Sequence, residues 1–368
     1  MANAGNSKRQ LLPDFSFVQI GQKFVGQGYP TYFIAEMSGN HAKKFDEAVA
    51  IIKAAKEAGA DAVKLQTYTP DTITIKCDSD YFQIKGSIWD GDTLYDLYSK
   101  AYMPWEWQPK LKKIANDLGL DLFSSPFDRT AVDFLESMDV PAYKIASCEL
   151  LDLPLIRYAA RTGKPIIMST GMASLDEIGE AMEAAYSSGA RGIILLKCTS
   201  SYPAPLESMN LRTIPKIAET FKVPVGLSDH TMSSIVPVAA VCLGACVIEK
   251  HFAVSRSHHS CDSEFSLEPS EFKSMVDAVR LVEKALGGIH YGGTDQETVA
   301  KGHRRSLFVV ENIKAGEVLT EKNIRSIRPG NGLLPKYWDD VLGKKAACDI
   351  PRGTPLKWEH VLEPKRIV

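Results

Sequence analysis

The chain contains no Cys-x-x-Cys pair, and its seven cysteines fall at irregular spacings (77, 148, 198, 242, 246, 261, 348). That pattern supports neither a zinc knuckle nor a disulfide framework, and reads as reduced thiols of a cytoplasmic protein. No apolar run reaches the roughly 18 residues that a membrane-spanning helix needs, so no membrane partner is expected. The opening MANAGNSKRQLLPDF lacks the apolar core of a signal peptide. With a formal net charge of -2, the protein offers no general basic field to nucleic acid. A Gly-rich phosphate turn after the first strand-like run is missing too, which speaks against a doubly wound dinucleotide fold.

What the sequence does hold is a rhythm. Short apolar, β-rich runs recur: TYFIAEM (31–37), AVKLQTY (62–68), LDLFSSP (120–126), AYKIAS (142–147), PIIMST (165–170), GIILLKCT (192–199), PVGLSDH (224–230) and CVIEKHF (246–252). Most are separated by the length of a helix and two turns. The intervening FDEAVAIIKAAKEAGA and LDEIGEAMEAAYSSGA place apolar residues at i, i+3, i+4 and i+7 before a capping glycine. Eight such units predict an α/β architecture, a closed (β/α)8 TIM barrel over residues 1–286. The gap at 69–119 is too long for one helix. It predicts an insertion over the site, with helices near 93–100 and 106–118. Residues 11–30 are read as a hairpin plugging the barrel bottom. Residues 287–302 have linker composition, and 303–368 form a small second domain with strand-like SLFVV and EVLT.

In such a barrel the reacting groups project from the C-terminal strand ends. Polar residues gather there on every strand: Glu36 then Asn40 and His41; Lys64 and Gln66; Ser124 and Ser125; Lys144, Ser147 and Glu149; Ser169 and Thr170; Lys197, Thr199, Ser200 and Tyr202; Ser228, Asp229 and His230; Glu249, Lys250 and His251. A lone strand lysine is usually solvated and a lone histidine usually a satisfied core residue. Eight strands behaving alike at one end are a constellation. Lys64 and Lys144 with hydroxyls at 125, 147 and 228 make a cradle for a compact phosphate ester. His230 and His251 end adjacent strands, so both imidazoles can reach one divalent ion of Mn²⁺ type with open coordination positions. Glu36 and Glu249 are placed as base or supporting carboxylates, and Cys148 and Cys198 read as packing thiols. A Schiff-base aldolase using Lys144 or Lys250 is the rival enzyme class, and a non-catalytic sugar-binding barrel a third reading.

The runs AEMSGNH (35–41), VKLQTY (63–68), SSPFD (124–128), YKIASCEL (143–150), STGM (169–172), CTSSYPAP (198–205), GLSDHT (226–231), EKHF (249–252) and SLEP (266–269) resemble the sialic acid synthase family. RPGNG (328–332) followed by GKKA is similar to that family's C-terminal antifreeze-like (SAF) domain. An ice-binding role is set aside, because 303–368 has no flat Thr-rich repeat and follows a complete barrel. The resemblance implies that phosphoenolpyruvate condenses with an open-chain N-acetylated amino sugar, giving a nine-carbon 2-keto-3-deoxy acid and phosphate by C–O cleavage.

By matched position, His230 and His251 are implied as ligands of Mn²⁺, with Mg²⁺ or Co²⁺ as alternatives. Lys64, Ser125, Lys144, Ser147 and Ser228 are implied as phosphoenolpyruvate contacts. Glu36, Tyr202 and Asp262 are implied on the sugar side, with Glu149 a candidate for the attacking water's proton and the choice of base among these carboxylates open. Arg328 matches an arginine that enters a neighbouring subunit's site, which implies a domain-swapped homodimer. AEMSGNH and Ser200 depart from the AEIG-x-NH and CTN-x-YP of N-acetylneuraminate-forming members. The continuation AVSRSHHSCDSEFSLEP is similar to the pseudaminic acid synthase branch, whose sugar is 2,4-diacetamido-2,4,6-trideoxy-altrose. N-acetylneuraminate and legionaminate synthesis are the alternatives. A sugar without a 6-hydroxyl calls for an apolar wall, whose place the sequence does not reveal.

Overall fold

The computed structural model describes residues 16–86 and 89–362. Two compact units divide the chain between Gly287 and Gly288. The first opens with an antiparallel hairpin, β1 (Phe17–Ile20) and β2 (Lys23–Gly26). Eight parallel strands then close a barrel: β3 (Tyr32–Glu36), β4 (Ala62–Thr67), β5 (Asp121–Pro126), β6 (Tyr143–Ile145), β7 (Ile166–Ser169), β8 (Ile193–Cys198), β9 (Val225–Asp229) and β10 (Val247–His251). Closure sets β10 beside β3, with Val247 opposite Tyr32 and His251 opposite Glu36. All eight apolar runs therefore become strands. They read as continuous apolar stretches because helices cover the outer face while the inner face packs on itself.

The connection after β3 carries α1 (Phe45–Glu57). Acidic Asp46 and Glu47 sit in its first turn, where the helix dipole favours them, and Ala48, Ile51, Ile52 and Ala55 form the buried stripe. The insertion after β4 contains α2 (Pro70–Ile73), α3 (Leu94–Ala101) and α4 (Gln108–Asp117), the last two where the periodicity expects helices. The remaining strands are followed by α5 (Arg129–Ser137), α6 (Leu153–Ala160), α7 (Leu175–Ser187), α8 (Thr213–Phe221), α9 (Ile235–Cys242) and α10 (Pro269–Leu286). Among the described residues, no helix is long and apolar enough to cross a membrane.

The hairpin lies at the N-terminal ends of the barrel strands, as expected of its observed part; residues 11–15 of the expected span fall outside the described residues. Lys23 donates to the Asp61 carbonyl at 2.9 Å and pairs with the Asp61 carboxylate at 3.2 Å, just before β4. Val18 fits against Gly192, where an added Cβ would lie only 2.7 Å from the valine. Glycine is required there by close approach rather than by backbone conformation.

The second unit contains two features that the sequence reading did not anticipate. The stretch read as linker holds α11 (Asp295–Lys301). Its start is a Thr294/Glu297 capping box, with Thr294 N–H donating to Glu297 at 2.7 Å and Glu297 N–H returning to the Thr294 hydroxyl at 3.3 Å. The SLFVV piece forms β11 (Ser306–Val309), but its partner is β12 (Ile324–Ile327). EVLT makes only an isolated bridge between Val318 and Lys345. Leu319 of that piece is buried while Val318 is 40% exposed, so the segment contributes a core residue without being a strand. Leu307, Val309, Ile313, Leu319, Ile324, Val341 and Leu356 belong to this unit's own apolar core.

Candidate active site

The inner face of the barrel is polar at the C-terminal ends of its strands. Side chains alternate along a strand, so Glu249 and His251 of β10 share the inner face while Lys250 points to the outer one. The same alternation turns Ser228 and His230 inward and Asp229 outward.

Four charged groups meet at the centre. Lys64 lies 3.0 Å from Glu36 Oε2 and 3.3 Å from Glu249 Oε1. Lys144 lies 3.7 Å from the same Glu249 oxygen and donates to Ser169 Oγ at 2.7 Å. The Lys64 ammonium also reaches Ser125 Oγ at 3.5 Å, and Ser228 Oγ donates to Glu249 at 3.4 Å. All four charged side chains are buried. The cradle is thus more balanced in charge than two lysines alone suggest, because Glu249 sits between them.

Burial sets how that balance falls. It pushes the Glu36 carboxyl up to about 7 against the pull of Lys64, with the negative charge of Glu249 adding to the rise. Glu249 itself is held below its ordinary value: burial raises it, but Lys144 and Lys64 together prevail. Burial lowers Lys64, yet Glu249 and Glu36 outweigh it and leave the amine raised. For Lys144 burial prevails over Glu249 and the amine is lowered. With Glu249 ionised and Glu36 readily protonated, the cluster keeps positive charge for an anion.

The two histidines stand beside this cluster, with ring centroids 5.4 Å apart. Burial lowers the His230 imidazole, but Cys198 and the Thr199 carbonyl, 2.8 Å from Nδ1, outweigh it and leave the ring raised; with Nδ1 donating to that carbonyl, the neutral ring would turn the Nε2 lone pair to an ion. His251 is driven well below its ordinary value, first by burial and then by the charges of His230 and Lys64, so its ring is neutral. Its Nδ1 is buried without a hydrogen-bond partner. Two such imidazoles fit a divalent ion as donors. Among the described residues, no group of three or more His, Cys, Asp or Glu side chains could hold one, so water or substrate would fill the other positions.

The sugar-side candidates join through a relay of polar contacts. Gln66 Nε2 donates to Glu36 Oε1 at 2.9 Å and to Ser38 Oγ at 2.9 Å. Ser38 in turn hydrogen-bonds Asp262, whose carboxylate also accepts from Gly39 N–H at 3.0 Å. Tyr202 packs on His230 with centroids 4.3 Å apart. Ser147 accepts from Gly171 N–H at 3.1 Å. A side chain at Gly171 would run into the Ser147 and Ser200 hydroxyls, so STGM needs its glycine for close approach. Glu149 follows Ser147 in a short 3₁₀ turn, with Oε2 buried and unpartnered and its carboxyl raised by burial against the pull of Lys144.

Several expectations are redirected. Arg328 belongs to the second unit, where it is exposed and has no hydrogen-bonded or ionic partner among the described residues. Cys148 is exposed, so it is no packing thiol, whereas Cys198 is buried. Asn40 is a staple between the first and last barrel units, donating to the Phe252 carbonyl at 3.0 Å and to Ser266 at 2.8 Å. His41 packs on Trp107 rather than on the histidine pair. Lys250 is bound to Asp229 on the outer face, which removes it as a Schiff-base lysine. Ser38, Trp89 and Phe265 were not singled out by motif: their importance is one of position across the mouth.

Residues 51–291 match the NeuB family, and residues 304–362 match the SAF domain. Pseudaminic acid synthase of Campylobacter jejuni subsp. jejuni serotype O:23/36 (strain 81-176) is 47% identical over 329 residues, which are 89% of this chain and 95% of that protein. Pseudaminic acid synthase of Helicobacter pylori (strain ATCC 700392 / 26695) is 44% identical over 334 residues, 90% of this chain and 98% of that protein. Among solved structures, spore coat polysaccharide biosynthesis protein spsE from Bacillus subtilis aligns with a TM-score of 0.64 at 35% identity, covering 94% of this chain and 99% of that one. The chain belongs to the NeuB family, as an enzyme of the nonulosonic acid synthase type with a SAF domain following its barrel.

Proposed function

We propose that this enzyme condenses phosphoenolpyruvate with open-chain 2,4-diacetamido-2,4,6-trideoxy-altrose, giving pseudaminic acid and phosphate. The observation that carries the reading is the buried Lys64–Glu249–Lys144 cluster lying beside two imidazoles at the mouth of one barrel. The activity named for the Campylobacter and Helicobacter relatives supports the choice of sugar. Free cysteines throughout the described residues agree with a cytoplasmic setting.

In this reading Lys64 and Lys144, with the hydroxyls of Ser125, Ser147 and Ser228, hold the phosphate and carboxylate of phosphoenolpyruvate. Glu249 and Glu36 hold Lys64 charged before substrate arrives, so little reorganisation accompanies the reaction there. His230 and His251 would hold a divalent ion, Mn²⁺ with Mg²⁺ or Co²⁺ as alternatives, which when bound polarises the aldehyde oxygen of the sugar. C3 of phosphoenolpyruvate forms the new bond to the sugar's aldehyde carbon, and water adds at C2. Glu149, with its unpartnered Oε2, takes the proton of that water. The C2–O bond then breaks and phosphate leaves with its bridging oxygen. Glu36, poised to hold or release a proton, serves the oxygen of the former aldehyde, and Tyr202 and Asp262 orient the sugar. A Schiff-base aldolase is disfavoured, since Lys144 is engaged by Glu249 and Ser169. We further propose that the second unit of one chain serves the barrel of another through Arg328, making the working form a domain-swapped homodimer.

The test is phosphate release with phosphoenolpyruvate, Mn²⁺ and a panel of amino sugars. The 6-deoxy diacetamido sugar should be preferred to N-acetylmannosamine, and an isotope at the bridging oxygen should leave with phosphate. Solvent oxygen in the phosphate would exclude the C–O cleavage.

A further inference from the structure

Three aromatic rings extend from the histidine pair toward the insertion. Tyr202 lies 4.3 Å from His230 and Phe265 lies 4.8 Å from His251, measured between centroids, and the two rings are 5.1 Å apart. Trp89 stands beyond them, 6.1 Å from Tyr202 and 6.2 Å from Phe265. The three come from separate connections, those following β4, β8 and β10. Convergence of three loops on one point is what a binding surface at a barrel mouth requires.

The indole is also fixed in place. Its N–H donates to the Cys261 carbonyl at 3.0 Å, and the next residue, Asp262, accepts from Gly39 at 3.0 Å. Trp89 therefore ties the insertion to the loop that holds the sugar-side carboxylate. Phe265 is fully buried, while Trp89 and Tyr202 keep part of their surface open. Rings serving only as core packing would be closed off together; these leave a partly open apolar face next to the reacting groups.

We infer that Trp89, backed by Tyr202 and Phe265, is the specificity-determining wall against which the methyl end of a 6-deoxy sugar packs. The inference rests on the proposed function, which sets the sugar's aldehyde at the histidine pair. From there an extended six-carbon chain reaches about 6 Å, taking ordinary bond lengths. That span carries its far end past the Tyr202 and Phe265 rings, 4.3 and 4.8 Å from the histidines, toward the indole beyond them. A methyl group loses nothing on that surface. A 6-hydroxyl would shed water against a ring whose N–H already serves Cys261. Discrimination by one such group in an apolar pocket amounts to about tenfold or more.

The test compares 2,4-diacetamido-2,4,6-trideoxy-altrose with its 6-hydroxy counterpart in wild type, Trp89→Phe and Trp89→Ala, using phosphate release in the presence of Mn²⁺. Wild type should favour the 6-deoxy sugar in kcat/KM by about tenfold or more. Trp89→Phe should keep most of that preference, and Trp89→Ala should lose it while its KM for phosphoenolpyruvate stays unchanged. Thermal melting of each variant reports folding separately. If wild type uses the 6-deoxy sugar and Trp89→Ala slows both sugars in equal proportion, or neither, the wall is overturned and the proposed function stands. If wild type uses N-acetylmannosamine but neither diacetamido sugar, both the proposed function and the wall fall together.

Discussion

Lys250 binds the Asp229 carboxylate on the outer face of the barrel, one residue away from each of the two inward histidines, and both side chains are wholly buried. Lys250 also donates to the Thr231 carbonyl at 2.6 Å and reaches the Ser233 carbonyl at 3.3 Å. Asp229 accepts from Thr231 N–H at 2.9 Å. The pair therefore locks the chain just past His230 against the strand that carries His251. It positions the histidines from the outer face of the barrel.

Lys250→Met should leave Asp229 buried and uncompensated, at a cost of about 3–5 kcal/mol in stability. The double variant Asp229→Asn/Lys250→Met should regain part of that loss, because no net charge is then stranded. Both variants should bind Mn²⁺ more weakly than wild type in calorimetric titration, even at temperatures where they remain folded. Stability lost with ion affinity untouched would show the pair to be structural only.

Much of this arrangement was legible in the sequence because barrel strands are short, buried on both faces and bounded by recognisable helices. Each apolar run from TYFIAEM to CVIEKHF became a strand, and Glu36, Lys64, Lys144, Glu249, His230 and His251 at their ends did converge, while Asp229, Lys250 and His41 turned elsewhere. Contacts across strands were not legible. Nothing in the string shows that Glu249 separates Lys64 from Lys144, or that Gln66 bridges Glu36 and Ser38. Those relations depend on barrel register, which places His251 opposite Glu36 and Gln66 opposite Ser125. Trp89 was hidden for another reason: it lies in the insertion ahead of its helix near 93–100, where no periodicity locates it. The Thr294/Glu297 box, by contrast, was a local signal present in TDQE, outweighed by the surrounding glycines.

The anion cradle predicts which substrate suffers when a lysine is removed. Lys64→Ala and Lys144→Ala should each raise KM for phosphoenolpyruvate and lower kcat, with about 2 kcal/mol lost per charge-assisted contact. Lys64→Ala should be the more complex variant, since it also frees Glu36 and Glu249 to repel one another. Steady-state kinetics with each substrate varied in turn checks this. An effect confined to the sugar's KM would move the phosphate elsewhere.

A separate pH dependence follows from the loop that carries Asp262. Arg256 grips Glu271 at the start of α10 with both guanidinium nitrogens, Nη2 lying 2.9 Å from Oε1. That hydrogen bonding holds the Glu271 carboxyl below its ordinary value, with burial opposing. The stabilisation is therefore complete above the ordinary carboxylate value of about 4.3 and is lost as pH falls through the lower folded value. Amide hydrogen exchange across residues 255–265, taken relative to the intrinsic rate at each pH, should accelerate on acidification in wild type. In Glu271→Gln it should be fast already at neutral pH and lack that step. Equal exchange profiles in the two proteins would deny the clamp its role.

The exposed Arg328 leads to the last prediction. It follows β12 in the RPGNG turn, which Ser306 anchors by donating to the Pro329 carbonyl at 2.7 Å and accepting from Gly332 N–H at 2.9 Å. The turn is thus held by a serine, and the guanidinium is not used to hold it. An arginine presented on a braced loop is suited to gripping oxygen atoms of a ligand, since its planar fork loses little freedom on binding. Arg328→Ala should accordingly impair use of the amino sugar far more than binding of phosphoenolpyruvate, and leave thermal stability unchanged. If the second unit of one chain completes the barrel site of another, two inactive variants should rescue each other. In a mixed dimer of Arg328→Ala and His251→Ala chains, one barrel has intact histidines and receives an intact arginine, while the other has neither. Random reassociation makes half of the dimers mixed, so activity should return to about a quarter of the wild-type level. Co-refolding followed by a phosphate-release assay measures it. No recovery, together with a monomeric mass in solution, would confine Arg328 to its own chain.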